Sequence, residues 1–405
     1  ATHMLGLLAH QVGKNDLAVA LITGVLEREP NLAEAHNNLG LALQALEQPQ
    51  DAMASYRKAL ALRPNYADAY CNVGNIFRDA GQLEDAVEHY RRALEIDPNL
   101  ADAINNLGSA LMMLGHLRSA ISLFQKAVAL KPDYAEAHTN LGLAFLLQGN
   151  WKEGWEEFEW RFRYNEKLFV WRTPPLTMWT GSCLEGKSIF VYPEQGVGDE
   201  VMFASCIPDL MEEAPGKLLL ECSPRLEPLF GRSFPGVEVR GKTRDENFSW
   251  LQEEGPLDYS LPIGSLPKFF RNRVEDFPER DSFLVADPAS TEKWQQRLSS
   301  LGKQKKIGIS WRGGGIKHVQ FEDWIPLLSM DAFFINLQYG DTTEDIDRIY
   351  KEANIRIHDW EDNDPLQDLD NQAALISALD LVITIDNSTL HMAGAIGTRT
   401  WGLLE

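Results

Sequence analysis

Three stretches of the sequence bring together side chains that can do chemistry. The run Pro193-Glu194-Gln195-Gly196-Val197-Gly198-Asp199 closes a tight glycine-rich turn with a carboxylate. It is shorter than a GxGxxG dinucleotide fingerprint, and its Asp would repel a phosphate. That argues for a group acting on an acceptor, with Glu194 and Gln195 placed to contact it. The run Asp386-Asn387-Ser388-Thr389 opens a helix, where hydroxyls and free backbone N–H groups form a ready-made anion site. His391, one turn further in, divides between ligand contact and core packing. Arg312, just past a strand, adds positive charge. Plainer roles stay open: Asp199 and Ser388 both suit a helix N-cap, and Gly196, Gly198 and Gly313 answer to backbone geometry. The third feature is a column of asparagines, Asn38, Asn72, Asn106 and Asn140. Asparagine is a mediocre helix former, so four copies need a reason.

The asparagines belong to a repeat. Pro30, Pro64, Pro98 and Pro132 recur at intervals of 34 residues. Leu/Val-Gly pairs (Leu5-Gly6 through Leu141-Gly142) and a large apolar column (Ile22, Tyr56, Tyr90, Phe124, Phe158) keep the same register. Glycine and alanine let paired helices approach, the large residue fills the gap between repeats, and proline ends the second helix. No repeat buries its apolar face alone, so the units must stack. Residues 5 to about 163 resemble the tetratricopeptide repeat family, which implies an α-helical solenoid with a concave face lined by first helices. The array is also similar to that of the O-GlcNAc transferases. That resemblance implies that Asn38, Asn72, Asn106 and Asn140 form a peptide-binding ladder. An amide offers one acceptor and two donors, enough to hold an extended main chain whatever its sequence. The alternative is that each amide bonds to the neighbouring repeat. An acidic column (Glu34, Asp68, Asp102, Glu136) reads as helix-dipole stabilisation. Residues 151–180 carry Trp151, Trp155, Phe158, Trp160, Phe162, Trp171 and Trp179, and are expected to weld the last repeat to the next domain.

Beyond residue 185, strand-like apolar runs alternate with helical segments, which predicts parallel sheets in two Rossmann-like lobes. Strands are expected at Lys187–Tyr192, Lys217–Cys222, Val237–Val239 and Tyr259–Leu261, with a helix over Glu200–Ala214. The second lobe is expected to hold strands at Lys306–Trp311, Phe333–Gln338, Ile355–His358, Leu381–Ile385 and from Thr400. A Pro- and charge-rich connection, 262–304, joins the lobes. The run Asp380 to Gly397 resembles the nucleotide-sugar phosphate motif of the heptosyltransferase family (family 9 glycosyltransferases), and the Gly198-Asp199 turn resembles that family's first-lobe loop. With the repeats, Ile309 to Gly314 and Asn336 to Asp341, the chain is similar to bacterial repeat-containing protein glycosyltransferases. The resemblance implies a GT-B-like pair of lobes and transfer of a sugar from a nucleotide sugar to a Ser or Thr hydroxyl of a protein held by the array. Asp199 would be the general base. Arg312, Gly313, Gln338, Asp386, Asn387, Ser388, Thr389 and His391 would bind the donor, with Lys317 or His318 assisting Arg312. Glu194, Gln195, Gly196 and Gly198 would form the acceptor-side loop. No DxD metal motif presents itself, since Asp362-Asn363-Asp364 reads as a solvated loop. An inverting reaction without metal or cofactor is expected. The family's closing helix beyond Trp401 is not in the sequence.

Composition narrows the field. There are 38 basic and 59 acidic residues, a formal net charge of −21, which speaks against nucleic acid as a main partner. Four cysteines without paired spacing suggest reduced thiols and a cytoplasmic setting. No apolar run reaches the ~18 residues of a membrane span. The start, Ala1-Thr2-His3-Met4, reads as a cloning scar. The expected organisation is a repeat array over 1–163, an aromatic junction over 164–184, an acceptor-side lobe over 185–300 and a nucleotide-sugar lobe over 301–405. Two other readings stand beside the transferase. One is an interaction scaffold with an inactive transferase-like domain. The other is a lipopolysaccharide-type glycan transferase.

Overall fold

The computed structural model describes residues 2–164, 173–243, 248–313 and 321–403. Contacts divide the chain into two compact units, Ala1–Phe169 and Val170–Glu405.

The first unit is a tetratricopeptide-repeat α-solenoid. Its helices pair as α1 (Thr2–Gln11) with α2 (Asn15–Leu26), α3 (Ala33–Gln44) with α4 (Pro49–Leu62) and α5 (Ala67–Asp79) with α6 (Leu83–Ile96). The remaining pairs are α7 (Ala101–Met113) with α8 (Leu117–Leu130) and α9 (Ala135–Gln148) with α10 (Trp151–Phe158), and a short α11 (Arg161–Tyr164) comes after them. Each pair closes through one left-handed residue: Gly13, Gly81, Gly115 and Gly149 have φ of 77, 75, 77 and 86°. In the second repeat the same position is Glu47, at φ 58°. Tyr56, Tyr90 and Phe124 are fully buried. They occupy the space that glycine leaves on the facing helix: a Cβ on Gly108 would lie 2.7 Å from the Phe124 ring. At the end of the array, His138 stacks on Trp160 with ring centroids 3.9 Å apart, and its Nδ1 lies 2.5 Å from Glu157 Oε2.

The second unit is α/β. Its first sheet takes β1 (Thr177–Met178), β2 (Ser188–Tyr192), β3 (Lys217–Cys222), β4 (Glu238–Gly241) and β5 (Tyr259–Pro262), in the order β1-β5-β2-β3-β4, all parallel. Between them run α12 (Val197–Phe203), α13 (Ile207–Glu212) and α14 (Glu227–Ser233). After β5 come α15 (Pro267–Phe270) and α16 (Pro288–Ser299). The second sheet takes β6 (Lys305–Ser310), β7 (Ala332–Asn336), β8 (Ile357–His358), β9 (Leu381–Ile385) and β10 (Thr400–Leu403), in the order β10-β9-β6-β7-β8, again parallel. Its helices are α17 (Phe321–Leu328), α18 (Thr343–Ala353), α19 (Leu369–Ser377) and α20 (Ser388–Ile396). β2 is buried along its whole length, as a strand covered on both faces must be.

Several expectations are corrected. The single helix over Glu200–Ala214 is two short helices joined by a 3-10 turn, with Pro208 at the start of the second. The 262–304 connection contains α16, whose N-cap Asp287 accepts a hydrogen bond from Ser290 N–H at 2.7 Å. Of the 151–180 aromatics, Trp160 stacks on His138 and Trp179 packs on Phe269 at 4.4 Å between centroids, contacts that leave the expected junction between domains untouched. Trp171, Lys317 and His318 lie outside the described residues. Among the described residues no helix is long and apolar enough to cross a membrane.

Candidate functional site

The asparagine column falls on the first helices α3, α5, α7 and α9. Asn72 Nδ2 donates to Asn37 Oδ1 at 3.0 Å, and Asn140 Nδ2 to Asn105 Oδ1 at 3.0 Å. Asn37 and Asn105 precede the ladder residue of the previous repeat. Where that place holds Cys71, Asn106 Nδ2 turns to Asn75 Oδ1 at 2.9 Å, with Cys71 Sγ at 3.7 Å. Asn38 Nδ2 lies 3.0 Å from His3 Nε2. The bond to a neighbouring repeat is therefore present. It uses one donor of each amide. Asn72 and Asn140 are only partly buried, and among the described residues neither Oδ1 accepts a hydrogen bond.

Asn38, Asn72 and Asn106 line a cavity of about 720 Å³ together with Asp68, Asp102 and Glu136. Asn140 is not among its lining residues. The acidic column sits in the first turns of its helices, as the dipole argument requires. Glu34, its first member, is exposed and pairs with Arg63 at 3.0 Å. The other three, on α5, α7 and α9, line the cavity together. Burial, then the Asp102 charge, raises the Asp68 carboxyl above its ordinary range. Burial likewise raises Glu136, offset by the Asn105 amide and Arg78. Arg78, also in the lining, pairs with Asp79 at 3.0 Å.

In the α/β unit the structure brings the two sequence-selected loops together. α12 packs on α20, and a Cβ on Gly198 would lie 3.4 Å from His391 Cδ2 and from Ser388 Cα. Most of the candidate polar groups there are held by the chain itself. Asp199 stands in the first turn of α12, not at its N-cap, and its carboxylate accepts from Gly196 N–H at 3.1 Å. The N-cap of α20 is Asn387, not Ser388: its Oδ1 accepts from Thr389 N–H at 2.9 Å and its Nδ2 donates to Ser310 Oγ at 2.8 Å and to the Arg312 carbonyl at 3.1 Å. Gln338 is buried, and its Oε1 accepts from Ser310 Oγ, Trp311 N–H and Arg312 N–H at 3.0, 3.0 and 2.7 Å. It braces the turn after β6. The Arg312 guanidinium donates to the Asp341 carbonyl at 2.7 Å and lies 3.6 Å from Asp345. His391 Nε2 is 4.0 Å from Asp386 Oδ1. Glu194 is half-buried against Gly264, Thr389 is buried, Gly313 is partly exposed, and Gln195 and Gly196 are exposed.

Sequence reasoning missed Glu200, the residue after Asp199. It is buried, and accepts from Ser223 N–H at 2.7 Å. Burial pushes its carboxyl up to about 7. A charged residue on the inward face of a short helix is the signal that could have found it.

Comparison with known proteins bears on the first unit most directly. A family described as TPR repeat matches residues 74–115 and 114–149, and families described as tetratricopeptide repeat match 33–66 and 55–88. Protein FlbA of Caulobacter vibrioides is 37% identical over 262 residues, covering 61% of this chain and 44% of FlbA. The chain thus spans under half the length of that relative. Among solved structures, MamA is 27% identical with a TM-score of 0.34, covering 40% of this chain and 95% of MamA. PilF of Pseudomonas aeruginosa is 22% identical with a TM-score of 0.37, covering 40% and 75%. YrrB, described as a TPR protein with an unusual peptide-binding site, is 22% identical with a TM-score of 0.32, covering 41% and 86%.

These findings correct the functional expectation. The families matched are described as tetratricopeptide repeats and the curated relative as Protein FlbA, and neither description is that of a glycosyltransferase. The nucleotide-sugar transferase, the enzyme class and the sugar-donor partner that went with it are set aside in favour of the interaction scaffold. Residues 33–149 match tetratricopeptide-repeat families, and an α/β unit comes after this array in sequence.

Proposed function

We propose that the chain is a protein-interaction module whose repeat array holds an extended segment of a partner protein along its first helices. The observation that carries this is the half-satisfied ladder. Asn72 and Asn140 spend one N–H on the neighbouring repeat, while their Oδ1 atoms accept nothing among the described residues. An amide fixed by one bond, with an acceptor and a donor left over, is preorganised to pair with a backbone amide. The adjoining cavity has room for chain.

We read the two parallel sheets of the second unit as Rossmann-like lobes. Counted along the chain, β6 to β10 lie in the order third, second, first, fourth, fifth, and β2 to β5 in the order third, second, first, fourth. That is the order of doubly wound folds. Such folds host many functions, and a fold alone names none.

The test is direct. Replacing Asn38, Asn72, Asn106 and Asn140 by Ala is expected to weaken capture of an unstructured polypeptide such as reduced, carboxymethylated lactalbumin by about tenfold or more, at roughly 1 kcal/mol per lost hydrogen bond. Unchanged binding by a folded variant would remove the array's first helices from the interface.

A further inference from the structure

The face that carries the ladder changes character along the array. In its middle, Asp68, Asp102 and Glu136 line the cavity, three carboxylates beside one cation, Arg78, which pairs with Asp79 and also offsets the Glu136 charge. On α9, beyond Glu136 and Asn140, the side chains at two exposed positions of the helix are apolar. Leu143 occupies the position that Leu41 and Asn75, two cavity-lining residues, hold in their own repeats. One turn on, Leu147 shares its position with Met113 of the preceding repeat. Met113, Leu143 and Leu147 are 52%, 38% and 69% exposed. Side chains at i and i+4 share a helix face, so Leu147 continues the stripe of Leu143 on α9, and Met113 adds to it from α7. Bulky apolar side chains held in water are a docking feature when they adjoin a polar groove. The carboxylates crowd one another at a Coulombic cost that a cation relieves.

We infer that the segment held in this groove is amphipathic: lysine or arginine side chains meet Asp68, Asp102 and Glu136, and a bulky apolar side chain seats on Met113, Leu143 and Leu147. The inference rests on the groove reading above and adds what that groove selects. Main-chain pairing with the asparagines accepts any sequence, so selectivity falls to these two flanking features.

Four labelled peptides on a Ser-Gly background test it by fluorescence anisotropy with the full chain: one carrying Lys and a terminal Phe, one Lys alone, one Phe alone, one neither, with Phe tried at each end. The Lys–Phe peptide is expected to bind tightest. Removing Phe should cost about tenfold or more. Leu143→Gln with Leu147→Gln should impose the same loss on the Lys–Phe peptide and none on the Lys peptide. Asp102→Asn with Glu136→Gln should abolish the preference for Lys. Asp347→Asn with Glu352→Gln removes equal charge from α18 and should change nothing, which separates the groove from the net charge of −21. Thermal melts identify any variant that fails to fold. Equal affinity for all four peptides, weakened by the asparagine replacements, would overturn the inference and leave the groove reading intact. Binding that ignores the asparagine replacements would overturn both.

Discussion

Glu200 shows how one side chain can set a pH dependence for the α/β unit. Its carboxyl is moved from the ordinary 4.5 to about 7, chiefly by burial, with the Ser223 N–H, Lys242 and Arg225 opposing and Glu221 assisting. Between those two values the folded chain keeps a proton that the unfolded chain releases. Stability therefore falls as pH rises from 4.5 through about 7, and levels off above. The span corresponds to about 3 kcal/mol. Glu200→Gln keeps an acceptor for Ser223 and carries no charge. It is expected to stabilise the protein by roughly 1–3 kcal/mol at pH 8 and to change little at pH 4.5. Urea melts at the two pH values decide it, and an equal effect at both would exclude this ionisation. The same scale shows what the sequence hid. The loop residues Asp199, Ser388 and Asn387 stand out as polar groups at helix starts, but which of them caps is not legible. Asn387 wins because its amide also reaches Ser310 and the Arg312 carbonyl, partners more than 70 residues away. Gln338 is equally opaque: its amide is consumed by three groups on the neighbouring strand end, and no local pattern announces that.

Helices of the array are legible because 34-residue periodicity repeats each physical demand several times. The glycine between paired helices is one such demand, since the chain turns there with φ near +80°. Glu47 breaks the rule while adopting the same left-handed conformation, which costs an L-residue roughly 1–2 kcal/mol. Glu47→Gly should then stabilise the protein by up to about 1 kcal/mol, the unfolded-state entropy of glycine offsetting part of the gain. A loss of stability in thermal or urea unfolding would mean that the Glu47 side chain contributes more than its backbone costs. In the α/β unit nothing repeats, and element boundaries are harder to place from sequence. Helix α12 starts at Val197, inside a stretch whose glycines suggest a turn, because the Gly196 carbonyl already accepts from Glu200 N–H at 3.0 Å. Helix α16 escapes the sequence pattern although Asp287-Pro288 is an N-cap with proline next to it at the first helical position. Its surroundings, rich in proline and charge, outweigh that local signal.

At the scale of the whole molecule, the same sequence supports two readings that the fold alone does not separate. Two parallel sheets with helix starts meeting at Gly198, Ser388 and His391 are compatible with a ligand cleft. What weighs against it is commitment. Arg312 donates to the Asp341 carbonyl, Gln338 braces the β6 turn and Asp199 accepts from Gly196 N–H, so part of the polar equipment that would meet a phosphate or a hydroxyl is already engaged, while Arg312 Nε is buried with no hydrogen-bond partner among the described residues. Unmaking those bonds would subtract from any ligand's binding energy. The array offers open valences of its own, at Asn72 and Asn140. A thermal-shift comparison separates the two at once. A nucleotide present at about one hundred times its Kd would stabilise the native state by about 2.7 kcal/mol. UDP, GDP, ADP and CMP at millimolar concentration are expected to leave the melting temperature unmoved, while the Lys–Phe peptide raises it. The peptide's effect should vanish when the ladder asparagines become alanine. A saturable shift with one nucleotide, lost in Arg312→Ala with Ser388→Ala, would mean that those internal bonds yield to a ligand and that the α/β unit binds in its own right.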